Sequence, residues 1–79
     1  MTHTPHELQE EFPDQADRLH QLRETDHHFA RLADEYHEVN RQVHRAETFV
    51  EPVDDAAEKA LRHRRSHLKD EIARILARG

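Results

Sequence analysis

Histidine is the residue type in this sequence with the widest chemical range, and the 79-residue chain contains nine histidines. His63 and His67 lie four positions apart, the spacing at which two imidazoles on one helix face can bind zinc, nickel or copper. The residues between them lack the glutamate of an HExxH motif, so they do not indicate a metalloprotease. Two ligands are fewer than zinc usually takes, and Arg64 and Arg65 would repel a cation. We therefore expect a solvated helix face with no metal and no cofactor, His63 and His67 being the pair to test for metal binding.

The other residue types that catalysis requires are scarce. The chain has no cysteine, which excludes a disulfide scaffold, a thiolate zinc site and thiol catalysis. Its single glycine argues against a phosphate-cradling loop or a dinucleotide fold. Ser66 has no oxyanion donors in prospect, and general acid–base catalysis needs a water-excluding cleft that so short a chain has little material to build. We expect a non-enzymatic protein.

A group of basic residues in the last third of the chain could contact phosphate. These residues are Lys59, Arg62, Arg64, Arg65 and Lys69, here called the basic face. No stacking aromatic lies beside them, and the net charge of the whole chain is −5. An ordinary helix exterior balanced by ion pairs four residues apart, such as Glu58 with Arg62, explains the same pattern. The sequence therefore disfavours nucleic acid and is more compatible with an acidic protein partner.

Charge is distributed unevenly along the chain. Residues 1–17 carry five acidic and no basic side chains, whereas residues 53–79 carry five acidic and seven basic ones. The acidic start and the mildly basic end could attract each other, either within one chain or between two.

The positions of proline and of capping residues divide the chain into three predicted helices. Thr4, Pro5 and Glu7 resemble a capping box that opens a short helix over about 5–11, and Pro13 ends it. A long, unbroken helix is predicted over about 14–47. A connector over about 48–54 contains Pro52, and a final helix over about 55–77 follows, with Asp55 as its cap and Asp54 as the alternative.

Apolar residues follow a heptad pattern in both long helices, which is typical of a coiled-coil seam. The predicted interaction seam comprises Leu22, Phe29, Leu32, Tyr36, Val39, Val43, Leu61, Leu68, Ile72 and Ile75. Arg65 occupies a seam position in the last helix, with its charged head either snorkelling to water or paired with an acid. Asn40 lies at the edge of the seam, where it either turns inward to fix the helix register or stays half-exposed.

Two long helices joined by a short connector fold back as an antiparallel hairpin. The predicted fold is therefore all-α: a single domain over 1–79 with a short first helix and a long, coiled-coil-like hairpin. A continuous helix of some thirty residues spans on the order of 50 Å. Burial of roughly eight apolar residues per helix barely offsets the ordering cost, so we expect a homo-oligomer, with a dimer favoured.

Short segments of the sequence, taken in order, resemble the YdcH family of small bacterial proteins, a domain of unknown function. The segments are Thr4-Pro5-His6-Glu7-Leu8, Glu11-Phe12-Pro13, His20-Gln21-Leu22-Arg23, His28-Phe29-Ala30-Arg31-Leu32, Glu35-Tyr36, Glu38-Val39-Asn40, His44-Arg45-Ala46-Glu47, Glu51-Pro52-Val53 and Leu68-Lys69-Asp70-Glu71-Ile72. The resemblance covers nearly the whole chain and implies a small helical hairpin. Since the family has no established enzymatic activity, it implies no catalytic residue at any position.

The sequence thus predicts an uncharacterised helical-hairpin protein that acts through protein–protein contact or self-association. The alternative is a small regulatory protein that contacts nucleic acid or an acidic partner through the basic face, and a third hypothesis is a metal or pH responder that depends on histidine. No apolar run approaches the roughly 20 residues that a membrane span needs, and no signal peptide is recognisable. We therefore expect a cytoplasmic protein that does not enter the membrane.

Overall fold

The computed structural model describes residues 6–48 and 54–78. These residues form four α-helices and one 3₁₀ turn: α1 (Leu8–Glu11), the turn (Pro13–Gln15), α2 (Ala16–Thr25), α3 (His27–Glu47) and α4 (Asp55–Ala77). No strand occurs within the two described ranges, so the all-α prediction is confirmed. None of the helices found there is both long enough and apolar enough to cross a bilayer.

The first helix is shorter than expected. The predicted range of about 5–11 is wrong at its start, because α1 begins at Leu8. His6 has a φ of 63°, a left-handed conformation through which a right-handed helix cannot run. The cap proposed from Thr4 and Pro5 lies outside the described residues.

The predicted unbroken helix over about 14–47 is also wrong, since it is interrupted at Asp26. This residue is extended, with φ −128° and ψ 106°, and its side chain accepts a hydrogen bond from the backbone N–H of Phe29 at 3.1 Å. Asp26 therefore caps α3 instead of continuing α2. The chain folds back at this point, so that α2 packs along α3. The described residues measure 38 × 27 × 19 Å, well short of the expected 50 Å rod.

The helices α3 and α4 form the antiparallel hairpin. Glu47, at the end of α3, pairs with Arg62 near the start of α4, whereas His28, at the start of α3, shares a groove with Arg74 and Arg78 at the end of α4. The observed α4 coincides with the predicted range of about 55–77. Asp54, the alternative cap, accepts from the N–H of Ala57 at 2.7 Å. Residues 49–53 of the predicted connector lie outside the described residues.

The core lies between α2, α3 and α4. Seven residues of the predicted seam are buried in it, namely Phe29, Leu32, Tyr36, Val39, Val43, Leu68 and Ile72. Leu22, Leu61 and Ile75 are only partly buried and pack against it. Leu19 and Ala33, which the heptad pattern did not include, are buried as well, because α2 folds onto α3 instead of extending it.

Candidate functional site

The side of α4 that points away from α3 is left uncovered along the length of the helix. At about 100° per residue, it lies opposite the buried Leu68 and Ile72. Its residues, here called the outward face, are Ala56, Lys59, Ala60, His63, His67, Asp70 and Arg74, and all seven are exposed. Ala56 and Ala60 have short side chains, so they line a shallow groove together with His63 and His67. The outward face is therefore shallow, and the methyl groups of Ala56 and Ala60 lie among titratable and charged side chains.

The two candidate metal ligands lie together on this face. His63 and His67 are both exposed and line the same groove. The carboxylate of Glu71 lies 3.6 Å from Nε2 of His67. Within the described part of the chain, no group of three or more histidine, cysteine or carboxylate side chains is placed to hold one metal ion. A single copy of the chain thus offers two imidazoles on one face.

The arginines between these histidines bind the neighbouring helix. Arg64 donates to the carboxylate of Glu35, and Arg65 donates to Oδ1 of Asn40 at 3.0 Å. Both guanidinium groups are therefore engaged with α3. The sequence-based expectation that they would repel a cation at the histidines loses much of its force, because one is neutralised by a carboxylate and the other is part-buried.

Asn40 is the one buried polar residue of the described chain. It is fully buried and accepts the hydrogen bond from Arg65. Of the two alternatives left open by the sequence, the inward orientation is the correct one. Arg65 does not pair with an acid in this contact, since its partner is a neutral amide. A buried amide that accepts from a specific residue on the facing helix favours one register of α3 against α4.

The predicted basic face is divided among several intramolecular contacts. Arg62 binds Glu47 at 3.2 Å and Glu58 at 3.0 Å, and Lys69 lies 3.5 Å from Glu11. Arg64 and Arg65 are engaged with α3, as described above. Of the five residues, Lys59 belongs to the outward face. The basic face therefore does not form one free cationic surface, although exposed ion pairs of this kind are individually weak.

The segment before α2 is held against both helices of the hairpin. The hydroxyl of Tyr36 donates to the backbone carbonyl of His6 at 2.6 Å, and Nδ1 of His37 lies 2.9 Å from Oε2 of Glu7. The contact of Glu11 with Lys69 links the same segment to α4. The attraction predicted between the acidic start and the basic end is thus realised within one chain.

Tyr36 occupies the centre of this contact and is only 1 % exposed. Burial, followed by the negative charge of Glu11, raises the pKa of its hydroxyl to about 12. The nearby charge of Arg65 acts in the opposite direction and lowers it. Tyr36 therefore stays neutral at physiological pH and acts here as a hydrogen-bond donor.

A groove of about 290 Å³ lies between α1, α2 and α3. Its apolar lining includes Leu8, Leu19 and Phe29. Two of the ionisable residues at its rim have intramolecular partners, Arg23 with Asp34 and His37 with Glu7. No sequence pattern predicted this groove, since the groove exists only because the chain turns back at Asp26.

Comparison with known proteins identifies a family for this chain. The sequence model of a family described as protein of unknown function (DUF465) matches residues 29–76, more than half of the chain. The matched range begins near the start of α3 and ends near the end of α4, so it spans the hairpin. The match confirms the resemblance inferred from the sequence, since this is the family that contains the YdcH-like proteins. No curated protein and no solved structure matches the chain.

Proposed function

The chain belongs to the DUF465 family, whose function is unknown, and we propose from its own surface that it is a non-enzymatic helix–helix interaction module that forms a homodimer. The outward face of α4 is the dimer surface in this proposal. The chain then works by presenting this face to a second copy, and the α3–α4 hairpin serves to hold the face straight.

The observation that carries the proposal is that one side of α4 is buried within the chain and the opposite side is exposed. The predicted interaction seam is used inside the chain, where Phe29, Tyr36 and Ile72 are each at most 1 % exposed. Those residues are not available to a partner unless the fold opens. The outward face is exposed along its length, and the short side chains of Ala56 and Ala60 allow a second helix to approach closely.

Charge complementarity favours a second copy of this chain as the occupant. Dimers of identical chains usually have two-fold symmetry, so the same face meets itself in antiparallel orientation. With the axis level with residue 65, midway between His63 and His67, Ala60 of one copy lies opposite Asp70 of the other, and the adjacent Lys59 is one residue away, where its long side chain can pair with that carboxylate. The symmetry repeats this pairing, and each copy therefore contributes one cation and one carboxylate to the interface.

A concentration series by sedimentation velocity tests the proposal. The interface is narrow and polar, so we expect a weak dimer that accumulates toward the high micromolar range. Ala60→Glu would place a second carboxylate opposite Asp70 and should shift the equilibrium to monomer. Ala57→Glu is the matched control, because Ala57 is an exposed alanine of the same helix that lies off the outward face. A strict monomer at every concentration, or equal effects of both variants, would contradict the proposal.

Contact with nucleic acid or an acidic partner through the basic face has less support. Arg62, Arg64 and Lys69 each have a carboxylate partner within the chain. Phosphate would have to displace those partners one by one. A chain that stays monomeric at every concentration would contradict the homodimer and favour this alternative.

A further inference from the structure

We propose that the outward face of α4 binds a zinc ion between two copies of the chain, with His63 and His67 of each copy as its four ligands. This inference rests on the self-association proposed above and adds a metal to the same surface. It assigns a chemical role to two exposed histidines that are not part of the core.

The first argument is the position of the two imidazoles. Their spacing of four residues on a continuous helix places them one above the other on a single face. Both are exposed and border the same groove, so neither needs to leave a packed position to bind a ligand. Neutral imidazole is a good ligand for zinc, nickel and copper, and zinc accepts an all-nitrogen tetrahedral set.

The second argument is that one chain supplies half of a site. Structural zinc sites are almost always four-coordinate, and the described residues of a single copy hold no set of three candidate ligands. The two-fold axis that brings Lys59 within one residue of the position opposite Asp70 places His63 opposite His67 of the second copy. The same register therefore completes the pairs of charges and brings four imidazoles to the axis.

The third argument concerns the charges around the proposed ion. Arg64 and Arg65, which separate the two histidines in the sequence, direct their guanidinium groups to Glu35 and Asn40 of α3. The carboxylate of Glu71 lies 3.6 Å from Nε2 of His67, so it adds a negative charge close to the proposed ion.

Zinc titration of the full chain, first freed of metal with EDTA, tests this site. We expect calorimetry to give one zinc per two chains and sedimentation velocity to show a dimer dissociation constant lower by about tenfold or more at saturating zinc, because the ion binds only the dimer tightly. The double variant His63→Ala/His67→Ala should lose both responses. Since both positions are exposed, its helical circular dichroism should match that of the wild type.

The matched control is His27→Ala/His28→Ala, which removes two exposed histidines outside the outward face and should respond to zinc like the wild type. A zinc response that persists in the His63/His67 variant, or binding of one zinc per chain without dimer formation, would overturn the site. A dimer that forms in EDTA and ignores zinc would overturn the site but leave the proposed function intact. A monomer with and without zinc would overturn both.

Discussion

The hydrogen bond between Asn40 of α3 and Arg65 of α4 favours one alignment of the two hairpin helices. Asn40 is fully buried and accepts from Arg65, whose position on the apolar seam of α4 would otherwise suit an aliphatic residue. The pair is thus a specific contact between α3 and α4 in a core that is otherwise apolar. Heptad spacing alone leaves the register of two such helices open to slippage, and a buried hydrogen bond restricts it.

Arg65→Ala should lower the free energy of unfolding by about 1–3 kcal/mol, because it removes a charged donor from a buried amide. Arg64→Ala is the control, since the ion pair of Arg64 with Glu35 is exposed on both sides and such pairs contribute at most about 1 kcal/mol. Urea unfolding followed by circular dichroism gives both values. Equal losses in the two variants would argue against a specific role for the Asn40–Arg65 bond.

Tyr36, whose hydroxyl binds the segment before α2, should make the stability of the fold depend on pH in the alkaline range. The pKa of its hydroxyl is raised to about 12 in the folded chain, against about 10 for an unfolded tyrosine. The folded state therefore holds this proton more tightly. The resulting stabilisation is fully present below pH 10 and is lost as the pH rises through 12, by about 3 kcal/mol in all.

Because Tyr36 is the only tyrosine and there is no tryptophan, phenolate absorbance near 295 nm reports on it alone. We expect a titration midpoint well above 10 in the folded chain, and a stability that falls more steeply between pH 10 and 12 than in Tyr36→Phe. The variant itself should lose about 1 kcal/mol at neutral pH, the usual contribution of one hydrogen bond. A midpoint near 10 would show that the hydroxyl is not desolvated.

At the scale of the elements, the turn at Asp26 gives the chain its three-layered form. Thr25 donates from its hydroxyl to the carbonyl of Gln21, and Asp26 accepts from the N–H of Phe29. Short polar side chains compete with helical hydrogen bonding in this way, even without proline or glycine. The result is that Leu19 enters the core and Leu22 moves to its edge.

Two leucine substitutions distinguish the folded-back α2 from a continuous helix. Leu19→Ala should lower the free energy of unfolding by about 2–5 kcal/mol, the usual range for a buried leucine, and Leu22→Ala should cost less. A continuous heptad helix would give the opposite order, because Leu22 and not Leu19 continues the spacing of Phe29 and Tyr36. Thermal and urea unfolding of the two variants decide between the arrangements.

The sequence predicted the α3–α4 hairpin but did not predict that α2 folds back onto it. Heptad spacing identified Phe29, Tyr36, Val43 and Ile72 because these residues face a partner helix of similar length. It missed the turn at Asp26, since the residues Thr25 and Asp26 only end a helix when their side chains find the right backbone groups. The direction of Arg64 toward Glu35 was equally hidden, because it depends on which residues of α3 lie across from α4.

At the scale of the whole molecule, many charged side chains are paired within the chain, whereas the outward face of α4 is left uncovered. The acidic start is bound within the chain, with Glu7 at His37 and Glu11 at Lys69. Most of the basic face is likewise occupied. Lys59 and Asp70 lie on the outward face, at positions that a two-fold axis brings together. Reversing their charges is therefore the most direct test of the proposed dimer.

Sedimentation velocity of a charge-swap series tests the central claim most directly. Lys59→Glu should raise the dimer dissociation constant, since it places a carboxylate near Asp70 of the second copy, and Asp70→Lys should do the same by bringing two lysines together. The double variant Lys59→Glu/Asp70→Lys should restore the dimer, because symmetry then pairs the exchanged charges again. Arg31→Glu, an exposed reversal on α3, should leave the equilibrium unchanged. Additive loss in the double variant, or no response to either single reversal, would contradict dimerisation through the outward face of α4.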